Sequence, residues 1–200
     1  VDPTEFFPGQ EDRSLLGLPD GVFLALFAGD IRTGRKNLDG VLRALVSVPD
    51  VHLAVAGRVA GSPWPPLAEE LGLTKRVHFL DFRTDLAHLM RASDCFVFPS
   101  WYEGFSGALV EAMMSGIPII ASDIPMNLEA VKADQSALVY PVKDVEVLAA
   151  KMLEVISNPD KMKKLGQSAR EEATERFEIS KIANEYETFL KEIYTINRMV

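Results

Sequence analysis

Apolar residues fall along the chain in short unbroken runs, separated by segments with helical spacing. The runs at 22–28, 52–56, 77–80, 95–98, 117–121 and 137–139 lack the strict polar alternation of a half-solvated strand. Strands of that kind are covered on both faces, as in a parallel sheet. Helical patterns lie between them at 37–46, 65–71, 85–92, 108–114 and 128–131. Strands alternating with helices through short connections predict right-handed βαβ units. The expected fold is a single α/β domain, Rossmann-like and three-layered, with roughly six parallel strands.

The last quarter changes character. Val145, Leu148, Ala149, Met152, Leu153 and Ile156 share one face of a helix over 145–157. Asn158-Pro159 breaks it, and a second helix opens at Pro159 or Asp160 and runs to the region of Arg176. Ser180 is the expected cap of a third, with Ile182, Tyr186, Phe189 and Ile193 on its stripe. This helical C-terminal tail is expected to pack across the sheet edge or against something the chain lacks.

Composition narrows the function classes. With 48% hydrophobic and 25% charged residues, 200 residues support one well-cored globular domain. A net charge of -8 argues against a nucleic-acid footprint, which needs a basic face, but leaves room for a local basic pocket. Cys95 is the only cysteine, so no internal disulfide can form and a reducing, cytoplasmic compartment fits. No apolar run reaches the roughly 20 residues of a membrane span, and no signal-peptide pattern opens the chain. Val1 in place of methionine predicts a processed, truncated or excised piece.

The candidate chemistry lies in two loops that follow strands. The first reads Ala28-Gly29-Asp30-Ile31-Arg32-Thr33-Gly34-Arg35-Lys36-Asn37. Ligands of open α/β sheets bind outside the carboxyl ends of strands, so Arg32, Arg35 and Lys36 form either a phosphate clamp or a solvated basic loop with Asn37 as helix cap. The second runs from Pro99 to Pro118 and holds Glu103 and Glu111 with seven residues between them. Gly104 and Gly107 precede a helix whose bare N–H groups suit an anion, and the carboxylates suit sugar hydroxyls. The plainer alternative makes Glu111 a first-turn charge on the helix dipole and Glu103 a turn residue. Trp101 and Phe105 are large apolar residues in this loop. After the third strand, Arg83 either meets a base or pairs with Asp85. His52, His78 and His88 show no ligand spacing, so no metal site is expected.

Together these residues resemble the C-terminal, donor-binding domain of a GT-B glycosyltransferase of family 4, the retaining enzymes with a Glu–seven residues–Glu motif. The resemblance covers essentially all 200 residues. It implies that this domain binds a UDP-, GDP- or ADP-sugar, needs no cofactor or metal, and transfers the hexose together with an N-terminal acceptor domain outside this chain. The acceptor would be a glycan, lipid or small molecule, with peripheral membrane contact only through that missing domain. Lys36 matches the lysine on the donor diphosphate, Glu103 the carboxylate on the hexose hydroxyls, and Glu111 the one on the ribose. The arginine that usually follows the loop glycine is replaced by Asp30, leaving Arg35 or Arg32 as the second cation. The implied catalytic set is Lys36, Glu103 and Arg35. The implied donor-binding set is Gly29, Arg32, Arg83, Phe105, Ser106, Gly107, Ala108, Leu109 and Glu111. A GT-B-like sugar-nucleotide epimerase or hydrolase, and a non-catalytic binding module, are the alternatives.

Overall fold

The computed structural model describes residues 1–197. Six strands, β1 (Phe23–Ala28), β2 (Val51–Ala56), β3 (Val77–Phe79), β4 (Cys95–Phe98), β5 (Ile119–Ser122) and β6 (Leu138–Tyr140), form one sheet in the order β3-β2-β1-β4-β5-β6. Every pairing is parallel. The expected α/β architecture is therefore the observed one. β1 and β4 are buried along almost their whole length, which is why their sequences run apolar without alternation.

Helices cover both faces. α1 (Leu38–Val46) and α6 (Val145–Ser157) close one face, where Phe27, Leu42, Val97 and Met152 share a core. α3 (Leu86–Ala92), α4 (Gly107–Ser115) and α7 (Pro159–Phe177) close the other over Leu26, Phe96, Phe98 and Met113. α2 (Trp64–Glu70) and α5 (Pro125–Ala130) complete the connections, and α8 (Ile179–Asn197) follows α7. Successive strands move outward from β1 in one direction through β3, then outward from β4 in the other. That reversal between β1 and β4 makes the crevice in which open α/β sheets hold ligands.

The tail does more than cross an edge. α7 passes from one face to the other, with Met162 and Leu165 in the α6-side core and Ala169 and Ala173 in the opposite core, and it reaches α4 closely enough that a Cβ on Gly166 would stand 2.2 Å from the Gly116 carbonyl oxygen. Arg176 caps α5 through the carbonyls of Glu129 (2.7 Å) and Ala130 (3.1 Å). The Val1 amino group meets the Phe177 carbonyl at 2.7 Å, clipping the first residue to the end of α7. α8 keeps its apolar stripe in solvent, with Ile182, Tyr186 and Phe189 all about half exposed. Ser180 does not cap it: α8 begins one residue earlier, and the Ser180 hydroxyl donates to the Glu178 carboxylate. Smaller shifts have local causes. β5 starts after Pro118, which has no N–H for the ladder, and α5 starts at Pro125, whose fixed φ suits a first helical position.

Glycine to alanine inside a helix ordinarily gains about 1 kcal/mol. At Gly166 the backbone contact reverses the sign, and Gly166→Ala is expected to lower stability by about 1–3 kcal/mol in denaturant melts. An equal or higher midpoint would show that α7 does not bear on α4 as described.

Candidate functional site

The loop after β1 is shaped by close packing. The Lys36 side chain lies over Gly29, where a Cβ would come within 3.2–3.4 Å of its stem carbons. A short 3-10 turn over Gly34–Lys36 ends at Asn37, which takes a left-handed conformation (φ 53°). Asn37 then caps α1 by accepting from the Gly40 N–H, as expected. Its amide also donates to the Pro99 carbonyl at 3.0 Å, tying this loop to the end of β4.

The second loop is joined to the first by charge. Glu103 is only 5% exposed, and its two oxygens accept from Lys36 Nζ (2.7 Å) and Arg35 Nη1 (3.1 Å). Arg35 also donates to the Tyr102 carbonyl, and the Trp101 N–H donates to the Arg35 carbonyl. A carboxylate this buried must be paired, and here its partners come from the opposite side of the crevice. Ser106 is buried and donates to Asn127 Oδ1 (2.9 Å); Asn127 in turn donates to Ser122, and Ser122 to the Ser100 carbonyl. This chain fixes the approach to α4.

A cavity of about 370 Å³ opens beside the first loop, walled by Gly29, Asp30, Arg32 and Lys36 of that loop, Gly57 and Arg58 after β2, Phe82 and Arg83 after β3, and Ala108 at the start of α4, among others. Its size falls in the range of small-molecule sites. A larger hollow, about 900 Å³, lies at the other end of the strands. Its arginines serve the fold: Arg13 binds Asp94 and the carbonyls of Pro19, Val22 and Ala92, and Arg91 binds Glu11. The chemistry therefore favours the smaller cavity.

The predicted residues divide. Gly29, Arg32, Lys36, Arg83 and Ala108 line the cavity, and Glu103 reaches it through Lys36. Arg35 belongs to the Glu103 cluster and does not line the cavity. Arg32 is held by Asp30 through two contacts of 2.8 Å, which also holds the Asp30 carboxyl well below the usual range. The three cations of the first loop are thus not one clamp. Arg83 pairs with Asp85 at 2.7 Å, the plainer of its two readings, while still facing the cavity. Phe105 is exposed. Leu109 is fully buried in the core, and the Gly107 and Leu109 N–H groups donate to the Phe105 and Ser106 carbonyls rather than facing outward. Glu111 sits one turn beyond Ala108, in the second turn of α4 rather than the first, which weakens its coupling to the helix dipole. Arg58 escaped the sequence reading. Its signal was available: it follows Gly57 at the carboxyl end of a recognised strand. His52 Nδ1 and His78 Nε2 meet at 3.0 Å across β2 and β3, yet among the described residues no group of three or more metal-ligating side chains forms.

The sequence profile of the family described as glycosyl transferases group 1 matches residues 9–172. The chain belongs to the group 1 glycosyl transferases. It is similar to the D-inositol 3-phosphate glycosyltransferase of Mycobacterium marinum, at 37% identity over 160 residues, 75% of this chain and 34% of that protein. The same-named protein of Mycobacterium tuberculosis (strain ATCC 25177 / H37Ra) is 40% identical over 134 residues, 62% of this chain and 28% of that protein. The chain thus spans about a third of the length of these curated relatives. Among solved structures, sucrose-phosphate synthase of Thermosynechococcus elongatus superposes with a TM-score of 0.91 at 25% identity, covering 98% of this chain and 51% of that one. Anabaena HepE in complex with UDP-glucose superposes at 0.87 with 24% identity, covering 96% and 56%, and shows the same fold. This group 1 domain thus corresponds to about half the length of those two solved chains.

Burial raises the Glu111 carboxyl above its ordinary value of 4.5, and the Glu5 carboxylate adds to the rise while the chain's amino terminus opposes it. A raised folded value means the unfolded chain ionises first as pH climbs. Glu111 thus costs nothing at low pH and destabilises increasingly from about pH 4.5 up through its folded value. Glu111→Gln should melt higher than the parent at pH 7 and equal to it below about pH 4. No difference at pH 7 would contradict this environment.

Proposed function

We propose that this domain binds a nucleoside diphosphate sugar and, with an acceptor-binding domain, transfers the hexose with retention of configuration. In this reading it is the donor half of a family 4 GT-B enzyme, with Glu103 and Glu111 as its paired carboxylates. The observation that carries it is the Lys36–Glu103 ion pair at the strand-order reversal, beside a cationic cavity and the N-terminus of α4. No simpler ligand uses all of these: the cations suit phosphates, the positive end of the α4 dipole suits an anion, and a buried carboxylate suits hydroxyl donors.

The pair implies an exchange of partners. In the free chain Lys36 neutralises Glu103. A bound donor would bring phosphate oxygens to Lys36 and hexose hydroxyls to Glu103, so each charge keeps a partner throughout. As the bond from anomeric carbon to diphosphate breaks, negative charge grows on the leaving phosphate. Lys36 and the α4 N-terminus would stabilise it, and removing one such preorganised donor typically costs about 2.7–4 kcal/mol of barrier. These side chains supply the positive charge, so the reading includes no metal or other cofactor. Glu103 positions the hexose rather than attacking it, which fits delivery of the acceptor on the leaving-group face. Glu111, one turn along α4, would take the ribose hydroxyls.

The acceptor, whether glycan, lipid or small molecule, would bind to an N-terminal domain, in keeping with the third of its relatives' length that this chain spans. Trp101, Tyr102 and Phe105 at the crevice mouth and the apolar stripe of α8 are exposed and would face that domain. The isolated 200 residues should accordingly transfer sugar far more slowly than the enzyme median of about 10 per second. A cytoplasmic setting, where nucleotide sugars and a free Cys95 coexist, completes the reading.

Calorimetry with UDP and UDP-glucose as first probes, followed by the GDP and ADP pairs, tests the division of roles. Glu111→Ala should weaken the nucleoside diphosphate and its sugar form alike, by about tenfold or more. Glu103→Gln, which keeps the shape of the buried side chain, should leave the diphosphate bound at least as well, since Lys36 is released, and should abolish the preference for the sugar form. Identical behaviour of the two variants would refute the assignment.

A further inference from the structure

The cavity has four cationic side chains on its walls, and three of them already hold carboxylates. Lys36 is bound to Glu103, Arg32 to Asp30 and Arg83 to Asp85. The fourth is Arg58. Among the described residues no carboxylate hydrogen-bonds its guanidinium. It is exposed, and it feels Asp30 and Asp81 only through space.

The backbone under Arg58 is unusually well fixed for an exposed loop. The Gly57 N–H donates to the Asp81 carbonyl at 3.0 Å, and the Val59 N–H donates to the Asp81 side chain at 3.0 Å. Asp81 itself sits in the left-handed region at φ 58° to make both contacts. On the other side, the Gly29 N–H donates to the Ala56 carbonyl at 3.0 Å. Gly57 comes so near the first loop that a Cβ there would lie 2.2 Å from the Gly29 carbonyl oxygen. The residues flanking Arg58 are therefore locked to the loops after both β1 and β3. A long cationic side chain on a rigid base, beside Gly29, without a hydrogen-bonded carboxylate, is arranged to receive an external anion.

We infer that Arg58 is the second diphosphate-binding cation of this site, supplied from the loop after β2 because the position after Gly29 carries Asp30. This rests on the nucleotide-sugar reading above and names a residue for it. Asp30 then has a definite effect. It occupies Arg32 and repels phosphate, so the first loop contributes Lys36 alone, and Arg58 restores a second positive charge across the crevice. The guanidinium fork would take two phosphate oxygens, while Lys36 takes one as a point charge.

The test compares a nucleoside, its monophosphate and its diphosphate by calorimetry on the parent, Arg58→Gln and Arg58→Lys. Uridine, UMP and UDP come first, then the guanosine and adenosine series. Arg58→Gln should weaken the diphosphate by about tenfold to a hundredfold and leave the nucleoside within about twofold. Arg58→Lys should fall between parent and Arg58→Gln, because charge is kept and the fork is lost. Melting temperatures should stay unchanged, since Arg58 makes no hydrogen bond that the fold requires. If the parent binds diphosphates and Arg58→Gln binds them equally well, the inference is wrong and the nucleotide reading stands. Equal weakening of the nucleoside would assign Arg58 to the base and overturn the inference as well. If the parent binds no member of the three series, the nucleotide reading falls and takes this inference with it.

Discussion

Glu103 is a carboxylate with almost no water, and everything at the crevice follows from how its charge is met. An unpaired buried carboxylate would be prohibitive, whereas one held by two cations with good geometry is tolerable. Lys36 and Arg35 meet it from the loop after β1, while Glu103 rides on the loop after β4. The pair therefore joins the two sides of the strand-order reversal. In the proposed function, a ligand bearing phosphates and hydroxyls would take over the contacts that Lys36 and Glu103 now make with each other. Buried ion pairs add little net stability, so this one is better understood as specifying a site than as holding the domain together.

Stability comes from elsewhere. Six parallel strands bury aliphatic and aromatic side chains on both faces, and α6 covers one side while α7 runs from that side onto the other. Glycine governs the tightest approaches. Gly166 lets α7 reach the end of α4, and Gly57 lets the loop after β2 reach Gly29. The first contact is architectural. The second sets the spacing of the cavity wall that presents Arg58.

The strands were legible because burial on both faces leaves a run of apolar residues that no polar alternation interrupts. The two chemical loops were legible because each follows such a run, and ligand sites gather at strand ends. Apart from Arg83 with Asp85, two residues on, what could not be read were the partners of the charged side chains. Arg32 and Lys36 sit four residues apart in one loop, yet one turns back to Asp30 and the other crosses to Glu103. No periodicity distinguishes these outcomes; they are decided by which carboxylate the fold brings within reach. Arg58 was missed for a different reason. It stands alone, outside any cluster of charge, and only the packing of Gly57 against Gly29 reveals that it belongs to the same site. Ser180 was misassigned because a helix cap depends on backbone conformation, which residue type alone does not fix.

The central claim is that the Lys36–Glu103 pair opens to share a donor between its two charges. The most direct measurement is a crystal structure of the protein with UDP-glucose bound. The account predicts the diphosphate against Lys36 beside the start of α4, the glucose hydroxyls on Glu103, and the direct contact between those two side chains lengthened or lost. A ligand seated elsewhere, or one bound in the crevice with the ion pair intact and neither side chain touching it, would contradict the account.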